Sequence, residues 1–108
     1  MTKKVDPRAA DLAIYLVNHD RGEDYGDFDA NMNSTAKLWS ARLGIDITGE
    51  EVAQLMVLFK IDRMRYAYKQ DNYTDAIGYL LIADNIQAEK CKPEPPKNAN
   101  YNPIDETR

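Results

Sequence analysis

Apolar residues recur along the chain at intervals of three and four, and no alternation of the strand kind lasts more than a few positions. This period predicts four amphipathic helices. The first, over 6–20, carries Ala10, Leu12, Ala13, Leu16 and Val17 on one side, with Asp6 as N-cap and Pro7 in the first turn. The second, over 29–43, carries Met32, Ala36, Trp39 and Leu43 on one stripe, and Gly44 closes it. The third opens at Thr48, where Thr48 and Glu51 form a capping box, and continues to about Tyr68. Its stripe of Val52, Leu55, Met56, Phe59, Arg63 and Tyr66, with a near-continuous apolar run from Val52 to Phe59, predicts burial on most sides and a central position. The fourth runs from an N-cap at Asp71 to about Glu89, with Ala76, Tyr79, Leu80, Ala83 and Ile86 as its main apolar face. Ile77, Leu81 and Asp84 make a mixed second side, and Gly78 offers a place for another helix to approach. Trp39 is expected in the core and His19 at the carboxyl end of the first helix.

The expected fold is therefore all-α, a compact bundle of about four helices forming one domain over 1–90. Between the first two helices, 21–27 holds two glycines and three acids, which is loop composition. From 91 to 108 the chain is rich in proline and nearly free of large aliphatics, so an extended or disordered tail is expected there, with a protein partner as its natural ligand. A 108-residue chain with 44% hydrophobic residues and seven tyrosines leaves apolar surface that self-association would cover, and a homo-oligomer is expected.

Charge narrows the function. A net charge of -4 and a pI near 4.9 exclude the electrostatic footprint of an extended nucleic-acid binder, while leaving room for a local cationic cluster that holds one nucleotide. The single cysteine, Cys91, excludes an internal disulfide and a multi-cysteine zinc site, and His19 is the sole histidine. No apolar run reaches the roughly 18 to 20 residues that span a bilayer, so no membrane association is expected.

Charged residues inside apolar faces carry the candidate chemistry, because an unpaired buried charge costs several kcal/mol. Lys60 and Arg63, three apart, share a side of the third helix and suit an anion, or else their stems cover the core while their heads reach solvent or Asp75. Asp71 and Asp75 occupy the start of the fourth helix, where they cap it and pair with Arg63, or alternatively hold Mg²⁺. In the loop over 21–29, Arg21 supplies a cation, Tyr25 a stacking ring and Gly26 a close backbone approach, the composition of a base-binding lid. Tyr79 completes the ligand-binding set of Arg21, Tyr25, Gly26, Lys60, Arg63 and Asp75.

The ordered series Asp24-Tyr25-Gly26-Asp27, Asn31, Leu38-Trp39-Ser40, Ile47-Thr48, Val52-Ala53, Leu55-Met56, Leu58, Lys60, Arg63, and Asp71 through Asp75 to Gly78-Tyr79 resembles a family of small proteins of unknown function encoded by tailed phages. The resemblance covers 21–86, leaving the first helix and the tail outside it. It implies a phage origin and a protein made in the cytoplasm of the infected bacterium. A weaker similarity is to all-α nucleoside triphosphate pyrophosphatases of the MazG type, which imply Mg²⁺ held by Glu-x-x-Glu and Glu-x-x-Asp pairs on adjacent helices. This chain departs from that signature, with Lys60 and Arg63 where acids belong and only Asp71 and Asp75 at a different spacing.

Three functions follow in order of preference. The first is a phage nucleotide-binding protein that sequesters a host signalling nucleotide, with no catalytic residue and no cofactor. The second is a structural or adaptor protein binding a host or phage protein, and the third a degenerate pyrophosphatase with Mg²⁺ on Asp71 and Asp75.

Overall fold

The computed structural model describes residues 3–20 and 28–91, with Asp20 described by its backbone alone. Helix α1 spans Arg8–Tyr15 and widens into a π turn over Leu16–Asp20; α2 spans Phe28–Leu43, α3 Gly49–Met64 and α4 Gln70–Lys90. The described residues thus form four helices and no strand, the all-α bundle that the periodicity predicts. The Pro-rich segment from 92 onward lies outside the described residues, as does the loop over 21–27.

Local chemistry accounts for most helix ends. Asp6 Oδ1 accepts from the Arg8 amide at 2.9 Å, although Pro7 rather than Asp6 occupies the N-cap position of α1. The predicted capping box is present: the Thr48 amide donates to Glu51 Oε1 at 2.9 Å and the Glu51 amide to Thr48 Oγ1 at 3.1 Å. Gly44 stands after α2 with φ +75°, a left-handed conformation that suits glycine. The turn it begins is closed by Ser40, whose Oγ accepts from the Ile47 amide at 2.8 Å and donates to the Ile47 carbonyl at 3.3 Å. His19 Nδ1 donates to the Tyr15 carbonyl at 2.9 Å and its ring stacks on Tyr15, which fixes the end of the first helix.

Three boundaries or faces differ from expectation. Helix α3 ends at Met64 instead of near Tyr68, because its last turn tightens: the Arg65 and Tyr66 amides reach the Asp62 and Arg63 carbonyls, three residues back. Helix α4 begins one residue before Asp71, which is therefore in its first turn; Lys69 holds the N-cap position and makes no side-chain cap. The central helix is α4 and not α3. Helix α4 packs against α1, α2 and α3 and buries residues on two sides, Thr74, Gly78 and Ile82 on one and Ala76, Ala83 and Ile86 on the other.

Helix α3, in contrast, buries only Gly49, Val52, Ala53 and Val57, while Leu55, Leu58, Phe59 and Ile61 are 43–60% exposed. The long apolar run overstated its burial because apolar residues occupy both sides of this helix while neighbours cover only one. For the same reason Leu80 is exposed, and Ile82 takes its place in the core. That core joins Met32 and Ala36 of α2, Val52 and Ala53 of α3, and Ile82, Ala83 and Ile86 of α4, with Val17, Phe28, Trp39, Ile47 and Tyr79 packed against it.

Candidate functional site

The two cations on α3 part company. Lys60 and Arg63 are separated by roughly 60° around the helix axis, and this angle sends them to different surroundings. Lys60 turns toward α4, where its Nζ lies 3.0 Å from Asp75 Oδ2, with the two side chains 17% and 20% exposed. Arg63 is exposed and forms no ion pair among the described residues; its guanidinium carbon lies 5.7 Å from the Phe59 ring centroid. The carboxylate of Asp75 therefore meets Lys60, one of the two cations that the sequence offered it, and not Arg63.

Of the remaining residues singled out in the sequence, Arg21, Tyr25 and Gly26 lie outside the described residues. Tyr79 is half-buried against the core cluster. Asp71 is exposed on the first turn of α4, and no group of three or more histidines, cysteines or carboxylates among the described residues is arranged to hold a metal ion.

Arg63 instead joins a cleft of about 430 Å³ where the end of α3 passes into the start of α4, lined by Phe59, Arg63, Tyr66, Ala67, Lys69 and Asn72. Phe59, Arg63 and Tyr66 follow one another at spacings of four and three, so they line one wall. The turn at 65–69 supplies Lys69, and the first turn of α4 supplies Asn72 from the floor. Tyr66 is held in place by Arg65, whose Nη2 donates to the tyrosine hydroxyl at 3.1 Å and whose guanidinium carbon lies 4.8 Å from the ring centroid. Arg65 is anchored in turn on Asp62 at 2.9 Å.

Asn72 is only 6% exposed, and its side-chain amide hydrogen-bonds to no group among the described residues. Neither amide atom is fully buried, so the group is open to water or to a ligand on the cleft side. The lining holds two cations and no carboxylate, histidine or thiol. It therefore offers positive charge for an anion, two aromatic rings for a flat group, and an amide able both to donate and to accept.

Phe59 and Tyr66 stand in the sequence as part of the apolar stripe of α3, and reading that stripe as core concealed them. Lys69 and Asn72 carry no recognisable signal of their own, because only the turn after α3 brings them beside Arg63.

Residues 9–87 match the family described as a domain of unknown function, DUF6378. The match takes in α1, which the sequence resemblance had left outside. The Gene 55 protein of Mycobacterium phage L5 is 39% identical over 74 residues, 67% of this chain and 47% of that protein. The Gene 55 protein of Mycobacterium phage D29 is 35% identical over 81 residues, 74% of this chain and 54% of that protein. The chain thus spans about half the length of the curated relatives it matches. No solved structure matches it. None of the helices among the described residues is long and apolar enough to cross a membrane. With more than half of its residues inside the family match and two phage relatives beyond it, the chain belongs to the DUF6378 family of phage-encoded proteins.

Proposed function

We propose that the protein binds a nucleotide in the cleft between the end of α3 and the start of α4 and holds it without turning it over, sequestering it in the cytoplasm of the infected bacterium. Arg63 and Lys69 would take the phosphate, Phe59 and Tyr66 the base, and Asn72 a polar edge of that base. The observation that carries this reading is the company Arg63 keeps: an exposed guanidinium with no ion pair among the described residues, beside an aromatic ring and a side-chain amide that opens on the same cleft. Lys60 has no part in it, because Asp75 already neutralises it. The lining also lacks a carboxylate, histidine or thiol to act as general base or nucleophile, which favours holding over hydrolysis.

Calorimetric titration with a panel of nucleotides tests this. Arg63→Ala should weaken binding by about 10- to 100-fold, the cost of removing one charge-assisted contact to phosphate. Lys60→Met should bind as the parent does. An Arg63→Ala variant with parental affinity, or a parent that takes up no nucleotide, would overturn the proposal.

A further inference from the structure

The outer side of α3 reads the same in both directions. With Leu58 as centre and about 100° of rotation per residue, Leu55 and Ile61 fall equally far to either side of it. Gln54 and Asp62 do the same, and so do Glu51 and Arg65. All seven residues are exposed, whereas Val52, Ala53 and Val57 face inward. The pattern is apolar at the centre, with an acid at one end and a cation at the other.

From this symmetry the geometry points to a homodimer in which α3 packs antiparallel against α3 of a second copy, about a two-fold axis through Leu58. In that arrangement residue 58 plus n lies level with residue 58 minus n of the partner copy, and the two meet where both are close to the seam. Leu58 then contacts its own counterpart, with Leu55 and Ile61 flanking that contact on its two sides. Each Glu51 lies against an Arg65, since residues seven from the centre are only about 20° off the line that faces the partner. The Leu58 contact lies on the axis and occurs once, whereas the complementary Glu51–Arg65 pairing occurs twice. A parallel pairing would set Glu51 on Glu51 and Arg65 on Arg65, which repel.

The existing local contacts leave room for these pairs. The capping box engages Oε1 of Glu51, and Arg65 holds Asp62 through Nε and Tyr66 through Nη2, so its Nη1 can meet the Glu51 of the partner copy with both contacts kept. Beside this face, Leu43, Ile45, Leu55 and Leu58 line an apolar groove of about 400 Å³ that enlarges the surface available to the partner copy. Leu43 is 59% exposed, Ile45 61% and Leu58 60%, a run of bare aliphatics that a monomer rarely keeps without an interaction to cover it. The second copy also supplies what the small core of one chain lacks, since among the described residues Val52 is the one larger side chain that is fully buried.

Sedimentation equilibrium on the full chain tests the inference, with circular dichroism to confirm that each variant keeps its helices. The parent should sediment at twice the 12.3 kDa chain mass. Leu58→Asp should sediment as a monomer. Arg65→Glu should weaken dimerisation by about tenfold or more, because Glu51 of each copy would then face a like charge; adding Glu51→Lys should restore it. Should Leu58→Asp fail to fold, Leu58→Cys with Cys91→Ser should form an inter-chain disulfide on mild oxidation, because the two-fold axis sets the two sulfurs face to face. A monomeric parent, or a dimer indifferent to Leu58→Asp, would overturn the interface. A double charge reversal that fails to rescue Arg65→Glu would overturn its antiparallel register.

Discussion

Lys60 Nζ and Asp75 Oδ2 lie 3.0 Å apart, joining α3 to α4 through two side chains that are 17% and 20% exposed. Most of that pair is withdrawn from water, so each charge depends on the other more than a surface pair would. Lys60→Met should lower the unfolding free energy by about 1–3 kcal/mol. A double-mutant cycle with Asp75→Asn should return a coupling of about 1 kcal/mol or more. Chemical denaturation of the four proteins checks both numbers, and additive losses would mean that the pair contributes little.

The Thr48–Glu51 box opens α3 and follows the Ser40 bridge that closes the turn from α2. Thr48→Ala should cost about 1 kcal/mol, and in a domain of this size that lowers Tm by about 5 °C. Differential scanning calorimetry measures the shift. Ser40→Ala should act in the same direction, since it strands the Ile47 amide in a half-buried turn.

Two helical glycines should respond oppositely to alanine. A Cβ at Gly78 would meet Val17 Cγ2 at 3.5 Å, an ordinary contact, so Gly78→Ala should stabilise by about 0.5–1 kcal/mol through helix propensity. A Cβ at Gly49 would run into Asn33 Oδ1 and would sit 3.2 Å from the Asn33 amide nitrogen, so Gly49→Ala should destabilise by about 1–3 kcal/mol as α2 and α3 are forced apart. Thermal unfolding of the two variants decides the sign of each.

Thr74 is 2% exposed, and its Oγ1 finds no hydrogen-bond partner among the described residues. Thr74→Val exchanges an unsatisfied hydroxyl for a methyl of similar volume. It should be neutral or stabilising by up to about 1 kcal/mol. A loss of more than that, read from denaturant midpoints, would show that the hydroxyl is in use.

Features of this fold that depend on a few neighbouring residues are legible in the sequence. The capping box at Thr48, the left-handed Gly44 and the inward Trp39 follow from residue type and spacing within one or two turns. Features that depend on how many neighbours a helix has are not. Leu55 and Phe59 look like core because α3 is apolar on more than one side, yet its neighbours cover only the side of Val52, Ala53 and Val57. Helix α4 looks less hydrophobic, but Ala76, Gly78 and Ala83 let other helices approach it from two sides, and it is the one at the centre.

The candidate site divides in the same way. Arg63 stands out as a charge on an apolar stripe, whereas its partners Lys69 and Asn72 reach it only because α3 stops at Met64 and the chain turns back. Lys60 looked equivalent to Arg63 until roughly 60° of helix rotation placed it opposite Asp75.

Backbone amide NMR of the full chain, titrated with the nucleotide that binds best, tests the proposed cleft most directly. Resonances of Phe59, Arg63, Tyr66, Lys69 and Asn72 should move together and saturate with a single affinity, while those around Lys60 and Asp75 move less. Saturable shifts centred elsewhere in the chain, or none at millimolar nucleotide, would contradict the assignment of this cleft as a nucleotide site.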